Sequence, residues 1–323
     1  MEDAPEDCAP ALWREVFDRQ VDLEVAGVVG TFCCYLAGEQ YSEHCVVVCL
    51  HGGGHSALSW GLVAASLKDV CTVLAYDARG HGGSSAAPEH DLSAERQVQD
   101  CVEILKALFN SDPAKLPPIA VVGHSMGGAV AVRLSSSRSL PTMRALAVID
   151  VVEGTAIAAL PYMQSFLMGR PRSFSSLDKA IRYVVRAGQL KNLKSAKLSV
   201  PPQLFFSETT GRYLWRTDLE ASEKYWRGWF QGLSTEFLSA PVAKLLILAG
   251  SDRLDKDLTI AQMQGKFQTI LMPGAGHSVH EDQPERTAQT IIDFLRRNRI
   301  ISCGEDAFPL KIFQQRGPLP PCC

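Results

Sequence analysis

Apolar residues fall in short blocks along this chain, 45–50 without a polar break, and most blocks end in glycine-rich or polar turns. One covers residues 45–50 (CVVVCL). Others cover 70–76, 118–122, 143–149, 243–249 and 267–272. A strand open to water on one face alternates apolar and polar positions, so an unbroken block fits a strand covered on both faces. Two earlier stretches, 21–25 and 30–36, read as strands of a meander. Helix-length segments lie between the blocks. Residues 57–67 form one, and 13–17 fit a short helical turn. Another opens with Ser93 as cap and runs to about Phe109, with apolar residues at 98, 102, 105 and 108. That three-and-four spacing keeps one helix face apolar. Segments 129–134, 257–265 and 284–299 complete the set. The alternation predicts a mostly parallel central sheet flanked by helices, with ligands beyond the carboxyl ends of the strands.

The alternation breaks between residues 155 and 239, a helix-like stretch with few candidate strands. It predicts a helical lid inserted between sheet strands, with 200–211 an irregular loop. The expected division is a disordered lead-in at 1–12, core at 13–154, lid at 155–239, core again at 240–301, and a tail at 302–323.

One stretch carries chemistry. Gly123-His124-Ser125-Met126-Gly127 follows an apolar block and precedes a small-residue helix. Strand, G-x-S-x-G and helix together make a nucleophile elbow, which predicts the α/β-hydrolase fold and Ser125 as nucleophile. A serine hydroxyl needs a base, and the base needs an orienting carboxylate. His277, on a glycine-rich loop after the last block, is the expected base, with His280 its rival. Three aspartates could orient it: Asp150 ends the block after the elbow, while Asp252 and Asp255 follow the next block beyond the lid. Spacing alone favours Asp252. Acyl transfer also needs oxyanion donors. The Met126 N–H is one, and Gly53 or Gly54 of His51-Gly52-Gly53-Gly54 should supply the other. Asp77 and Arg79, in a D-x-R-G-H-G-x-S loop, read as structural.

Composition adds limits. The 323 residues are 46% hydrophobic and 21% charged with net charge −3, so no global field favours nucleic acid or anionic membrane. No apolar run of about 18 residues predicts a spanning helix. The acidic first residues predict no secretory signal. Ten cysteines are scattered with no C-x-x-C pair, which suits buried thiols in a reducing cytosol. Cys45 and Cys49 alone make a weak zinc case. No metal and no cofactor are expected.

Six segments carry a family resemblance: LHGGGHSALSW (50–60), GHSMGGA (123–129), IDVVEGTA (149–156), EKYWRGWFQGLSTEFL (223–238), LDKDLTIAQMQGKFQ (254–268) and GHSVHED (276–282). GHSMGG is generic to the fold, whereas IDVVEGTA, YWRGWF and LDKDLTIAQMQGKFQ are far more specific. With these the chain resembles the protein phosphatase methylesterases over roughly residues 13–299. The resemblance implies a serine carboxylesterase that removes the methyl ester from the C-terminal leucine of the type 2A protein phosphatase catalytic subunit. It implies Ser125, His277 and Asp150 as the triad, with Asp252 and Asp255 structural, and a cytoplasmic or nuclear location. It also gives the lid a purpose. Eight Lys or Arg between 170 and 197, against one acid, could meet an acidic partner surface. Arg170, Tyr225, Trp226 and Trp229 are the candidate partner contacts. Two other readings stay open: a small-molecule ester hydrolase of the same fold, and a phosphatase-binding protein acting by sequestration.

Overall fold

A computed structural model describes residues 7–250 and 254–302. In chain order the elements are β1 (Arg19–Glu24), β2 (Thr31–Ala37), β3 (Val46–Leu50), α1 (Gly61–Leu67), β4 (Thr72–Tyr76), α2 (Ala94–Leu108), β5 (Ile119–His124), α3 (Met126–Ser137) and β6 (Met143–Ile149). There follow α4 (Glu153–Gly169), β7 (Ser173–Phe174), α5 (Leu177–Arg186), α6 (Leu193–Ser199), β8 (Leu204–Ser207), β9 (Arg212–Trp215), α7 (Glu223–Phe230) and α8 (Leu233–Ser239). The chain then returns to the sheet with β10 (Ala243–Leu248), α9 (Lys256–Met263), β11 (Gln268–Leu271), α10 (Val279–Asp282) and α11 (Pro284–Arg297).

Eight strands form one sheet in the order β1-β2-β4-β3-β5-β6-β10-β11. Only the β1–β2 and β2–β4 pairings are antiparallel. The apolar run of β3 is unbroken because both its faces are covered. Val46, Val48 and Leu50 of β3 join the core that holds α2 and α3, while Val47 and Cys49 join the core under α1 and α11. Asp77, at the end of β4, is fully buried and accepts the N–H groups of Ala57 at 2.7 Å and Gly83 at 2.8 Å. Burial pushes its carboxyl up, opposed by those bonds. Arg79 forms a buried two-pronged pair with Asp100, at 2.6 and 2.9 Å. Both residues tie loops to the sheet.

The segment between β6 and β10 departs from the sequence reading in two ways. Residues 200–211 are not an irregular loop: β8 pairs with β9, and β9 with β7, in a small antiparallel sheet. Cross-strand aromatic packing stabilises the hairpin, with the Phe206 and Tyr213 rings 5.2 Å apart. Short strands of this kind carry too few residues to declare themselves by alternation. The described part of the lead-in, residues 7–12, is also not disordered. Cys8 is buried in the core of α5 and α6, and the Ala11 N–H donates to the Lys197 carbonyl at 3.0 Å. Residues 303–323, most of the expected tail, lie outside the described residues. No helix among the described residues is long and apolar enough to cross a membrane.

Candidate active site

The site is built at the carboxyl ends of β3, β5 and β6. Between β5 and α3 the chain turns through Ser125, whose φ of 52° and ψ of −118° are strained for a residue with a Cβ. Close approach explains the flanking glycines. A Cβ on Gly123 would overlap the Gly127 carbonyl, and one on Gly127 would overlap the Leu50 carbonyl.

Asp150 follows β6 directly and is also left-handed, with φ of 51°. Its N–H donates to the Ile247 carbonyl at 2.8 Å, and its Oδ1 accepts the Ala249 N–H at 3.0 Å. These bonds to β10 and its end aim the other oxygen outward. Oδ2 lies 2.8 Å from Nδ1 of His277. The Asp150 carboxylate is fully buried, while the His277 side chain is 51% exposed. A carboxylate on Nδ1 leaves Nε2 as the proton acceptor. The His277 carbonyl is held by Nε2 of His124 at 3.0 Å. Among the described residues no hydrogen bond joins the Ser125 hydroxyl to His277.

The competing residues sit elsewhere. His280 is buried, its ring 4.2 Å from Trp60 and 4.6 Å from His124. Asp255 caps α9 by accepting the Leu258 N–H at 2.9 Å and takes the Ser234 hydroxyl on its other oxygen. Asp252 lies outside the described residues.

The Gly52–Gly54 turn faces the elbow. Here one expectation is corrected. The Gly54 N–H already donates to Nε2 of His81 at 2.9 Å, so it is not available to an oxyanion. Gly53 and Met126 remain as candidate donors, Met126 because first-turn N–H groups of a helix lack carbonyl partners. His81 was not foreseen in this role. Its D-x-R-G-H-G-x-S loop was the available signal.

A cavity of about 610 Å³ joins these groups to the inserted segment. Ser125, Asp150 and His277 line its floor, and Met163, Leu167, Arg170, Trp226 and Trp229 its walls. The Arg170 guanidinium lies 4.7 Å from the Trp215 ring centroid, and burial pulls its pKa down. Trp226 and Trp229 are also core residues, their indole N–H groups donating to Ser222 Oγ at 2.8 Å and the Leu92 carbonyl at 2.7 Å. Tyr225 does not line the cavity. On α7 the residues 226, 229 and 230 are buried and line it, while Tyr225, at the border of that face, is half-buried against the core. The basic stretch is dispersed: Arg182 pairs with Asp178, Lys197 with Asp7, and Lys179, Arg186 and Lys194 are exposed.

A mostly parallel sheet with a strained serine at its central elbow, and beside it a buried aspartate bonded to a half-exposed histidine, defines a hydrolase of the α/β class. The family model for the alpha/beta hydrolase family matches residues 47–290. Within that class the chain belongs to the protein phosphatase methylesterases, a family of carboxylic-ester hydrolases. A Bos taurus protein named protein phosphatase methylesterase 1 is 43% identical, covering 91% of this chain and 87% of its own length. A Caenorhabditis elegans protein named probable protein phosphatase methylesterase 1 is 45% identical over 89% of this chain and 78% of its own. Among solved structures, E-2-(acetamidomethylene)succinate hydrolase superposes with a TM-score of 0.70 at 19% identity, covering 86% of this chain and 98% of that one. A Mycobacterium tuberculosis esterase superposes at 0.64 with 21% identity, covering 86% and 91%. At such identities these two speak to the fold alone.

Proposed function

We propose that this chain removes the methyl ester from the C-terminal leucine of the type 2A protein phosphatase catalytic subunit. Relatives named for demethylating a protein phosphatase support the substrate class. The observation that carries the mechanism is the 2.8 Å contact between Asp150 and His277, in one cavity with Ser125.

The chemistry follows from these groups. Substrate closes Ser125 and His277 to hydrogen-bond reach, as happens in many hydrolases whose free geometry is loose. Ser125 Oγ attacks the ester carbonyl carbon while its proton passes to Nε2 of His277. Asp150 stabilises the imidazolium, and the N–H groups of Gly53 and Met126 receive the tetrahedral oxyanion. Collapse breaks the bond to the methoxy oxygen, which leaves as methanol with the proton from His277. Water then attacks the acyl-serine with His277 as base, releasing the leucine carboxylate and restoring Ser125. Arg170, Trp226 and Trp229 contact the tail of the partner in the cavity.

Incubation with carboxymethylated phosphatase and detection of released methanol tests this reading, with Ser125→Ala as control. Hydrolysis of short aryl esters with no methanol from the phosphatase overturns the substrate. Equal inhibition of the phosphatase by wild type and Ser125→Ala, without methanol, makes the chain a sequestering protein.

A further inference from the structure

The motif 276–282 supplies more than His277. Its two acids, Glu281 and Asp282, end the four-residue α10 and are bonded to three separate parts of the molecule. Glu281 is fully buried. Its Oε1 lies 3.2 Å from Nδ1 of His55, the residue that closes the Gly52–Gly54 turn through a bond from its own N–H to the Gly52 carbonyl at 3.1 Å. Its Oε2 accepts the hydroxyl of Ser195, on α6 of the inserted segment, at 3.1 Å. Ser195 is buried as well. Asp282 works in parallel: it accepts the Lys191 N–H at 2.7 Å and the Gly276 N–H at 2.6 Å, next to His277.

We propose that Glu281 is a positioning residue for ester hydrolysis: its single carboxylate, shared by His55 and Ser195, sets the oxyanion turn from the lid. An oxyanion donor acts only at about 2.7–3.1 Å from the developing charge, so a shift of under 1 Å in the turn that carries Gly53 forfeits much of its effect. A buried carboxylate has no water to replace a lost partner, so both contacts are held strongly. The lid thereby fixes the turn, and displacement of α6 is felt at Gly53. The proposal rests on Ser125 being the nucleophile and Gly53 a donor, but not on the identity of the ester.

The test measures kcat and KM for a short p-nitrophenyl ester, with thermal unfolding and fluorophosphonate labelling of Ser125 alongside. Glu281→Ala should lower kcat about tenfold or more with KM within about threefold, because the donor acts in the transition state. Glu281→Gln should recover kcat to within about threefold of wild type, since an amide can accept from His55 and donate to Ser195. Ser195→Ala should lower kcat, Ser195→Thr should restore it, and Ser195→Ala should add little to Glu281→Ala, as residues on one line of contact do. Should Glu281→Ala fail to fold, the Ser195 pair decides alone. Folded Glu281→Ala or Ser195→Ala with wild-type kcat overturns the proposal and leaves a purely structural tie, as does a Glu281→Gln enzyme no better than the alanine variant. A wild-type protein that neither labels nor turns over any ester removes instead the reading of Ser125 as nucleophile.

Discussion

Asp150 and His277, 127 positions apart in sequence, meet at 2.8 Å because the chain leaves β6 in a left-handed turn. That turn, bonded to β10, points a buried carboxylate at the loop after β11. Asp150→Asn should keep the shape but lose the charge and the favoured tautomer, lowering kcat by about 10⁴. Asp255→Ala should instead cost about 1 kcal/mol of stability as a lost helix cap, with kcat within a few-fold of wild type. Steady-state rates on an aryl ester, with thermal unfolding, separate the two. A silent Asp150→Asn and an inactive Asp252→Asn would reverse the assignment.

The elbow makes a second prediction. Ser125→Ala should fold and should abolish fluorophosphonate labelling. Gly123→Ala should not fold well, because its Cβ overlaps a backbone carbonyl that no rotamer can move aside. A loss of about 3 kcal/mol or more is expected, read as a lowered Tm or as failure to recover soluble protein. A Gly123→Ala protein with wild-type Tm would show the turn to be looser than the contacts imply.

The central sheet was legible because its inner strands bury both faces, so 45–50 carries no polar residue and 143–149 and 243–249 carry only Arg144 and Lys244 near their starts. Ser125 was legible because its turn tolerates only glycine at positions 123 and 127. The acid was not legible by spacing, since in sequence Asp150 follows one apolar block and Asp252 and Asp255 the next, and what brings Asp150 to His277 is its bonding to β10, a contact between distant segments. Gly54 was misjudged for a related reason. Its sequence neighbours say that it can approach a ligand, but the acceptor that takes its N–H, His81, comes from a different loop 27 residues later. Tyr225 borders the buried face of α7, so its place in the helix does not decide whether it reaches the cavity, and the β8–β9 hairpin is too short to show a period. Contacts made between distant short segments leave no local period to read.

The cavity walls differ in how far they also hold the fold. Trp229 is buried and bonded to Leu92, so Trp229→Ala should cost about 3–5 kcal/mol of stability. Arg170 is stacked on Trp215 at the wall, with no such core role. Arg170→Gln should raise KM for the methylated phosphatase about tenfold, with kcat much less affected, the pattern of lost uniform binding. Kinetics on the protein substrate check this, and an unchanged KM removes Arg170 from the partner contacts.

Acid should destabilise this protein through histidines that do no chemistry. His51, His81, His124 and His280 are all buried, and burial holds each below the usual imidazole range, His81 at about 4. Their mutual charges act in the same direction, His280 and His277 on His124, His81 on His51, and His55 on all four. The hydrogen bonds agree with neutral rings. Nε2 of His51 accepts the Ala78 N–H at 2.9 Å, and Nε2 of His81 accepts the Gly54 N–H at 2.9 Å, so a proton on either nitrogen would face another donor. With folded values lowered, the unfolded chain takes up protons first as pH falls below about 6.5. Stability is therefore full above that pH and is lost down to about 4 for His81, by as much as about 1.4 kcal/mol per pH unit for each histidine. Thermal unfolding from pH 8 to pH 4 should show Tm falling below pH 6.5. His280→Phe is the sharpest check. Neither ring nitrogen of His280 has a hydrogen-bond partner among the described residues, and the phenyl ring can keep the contact with Trp60. That variant should match or exceed wild-type Tm at pH 7.5 and fall less steeply in acid. An identical slope would mean that His280 takes up its proton in the folded protein, and the acid sensitivity would then belong to the other three.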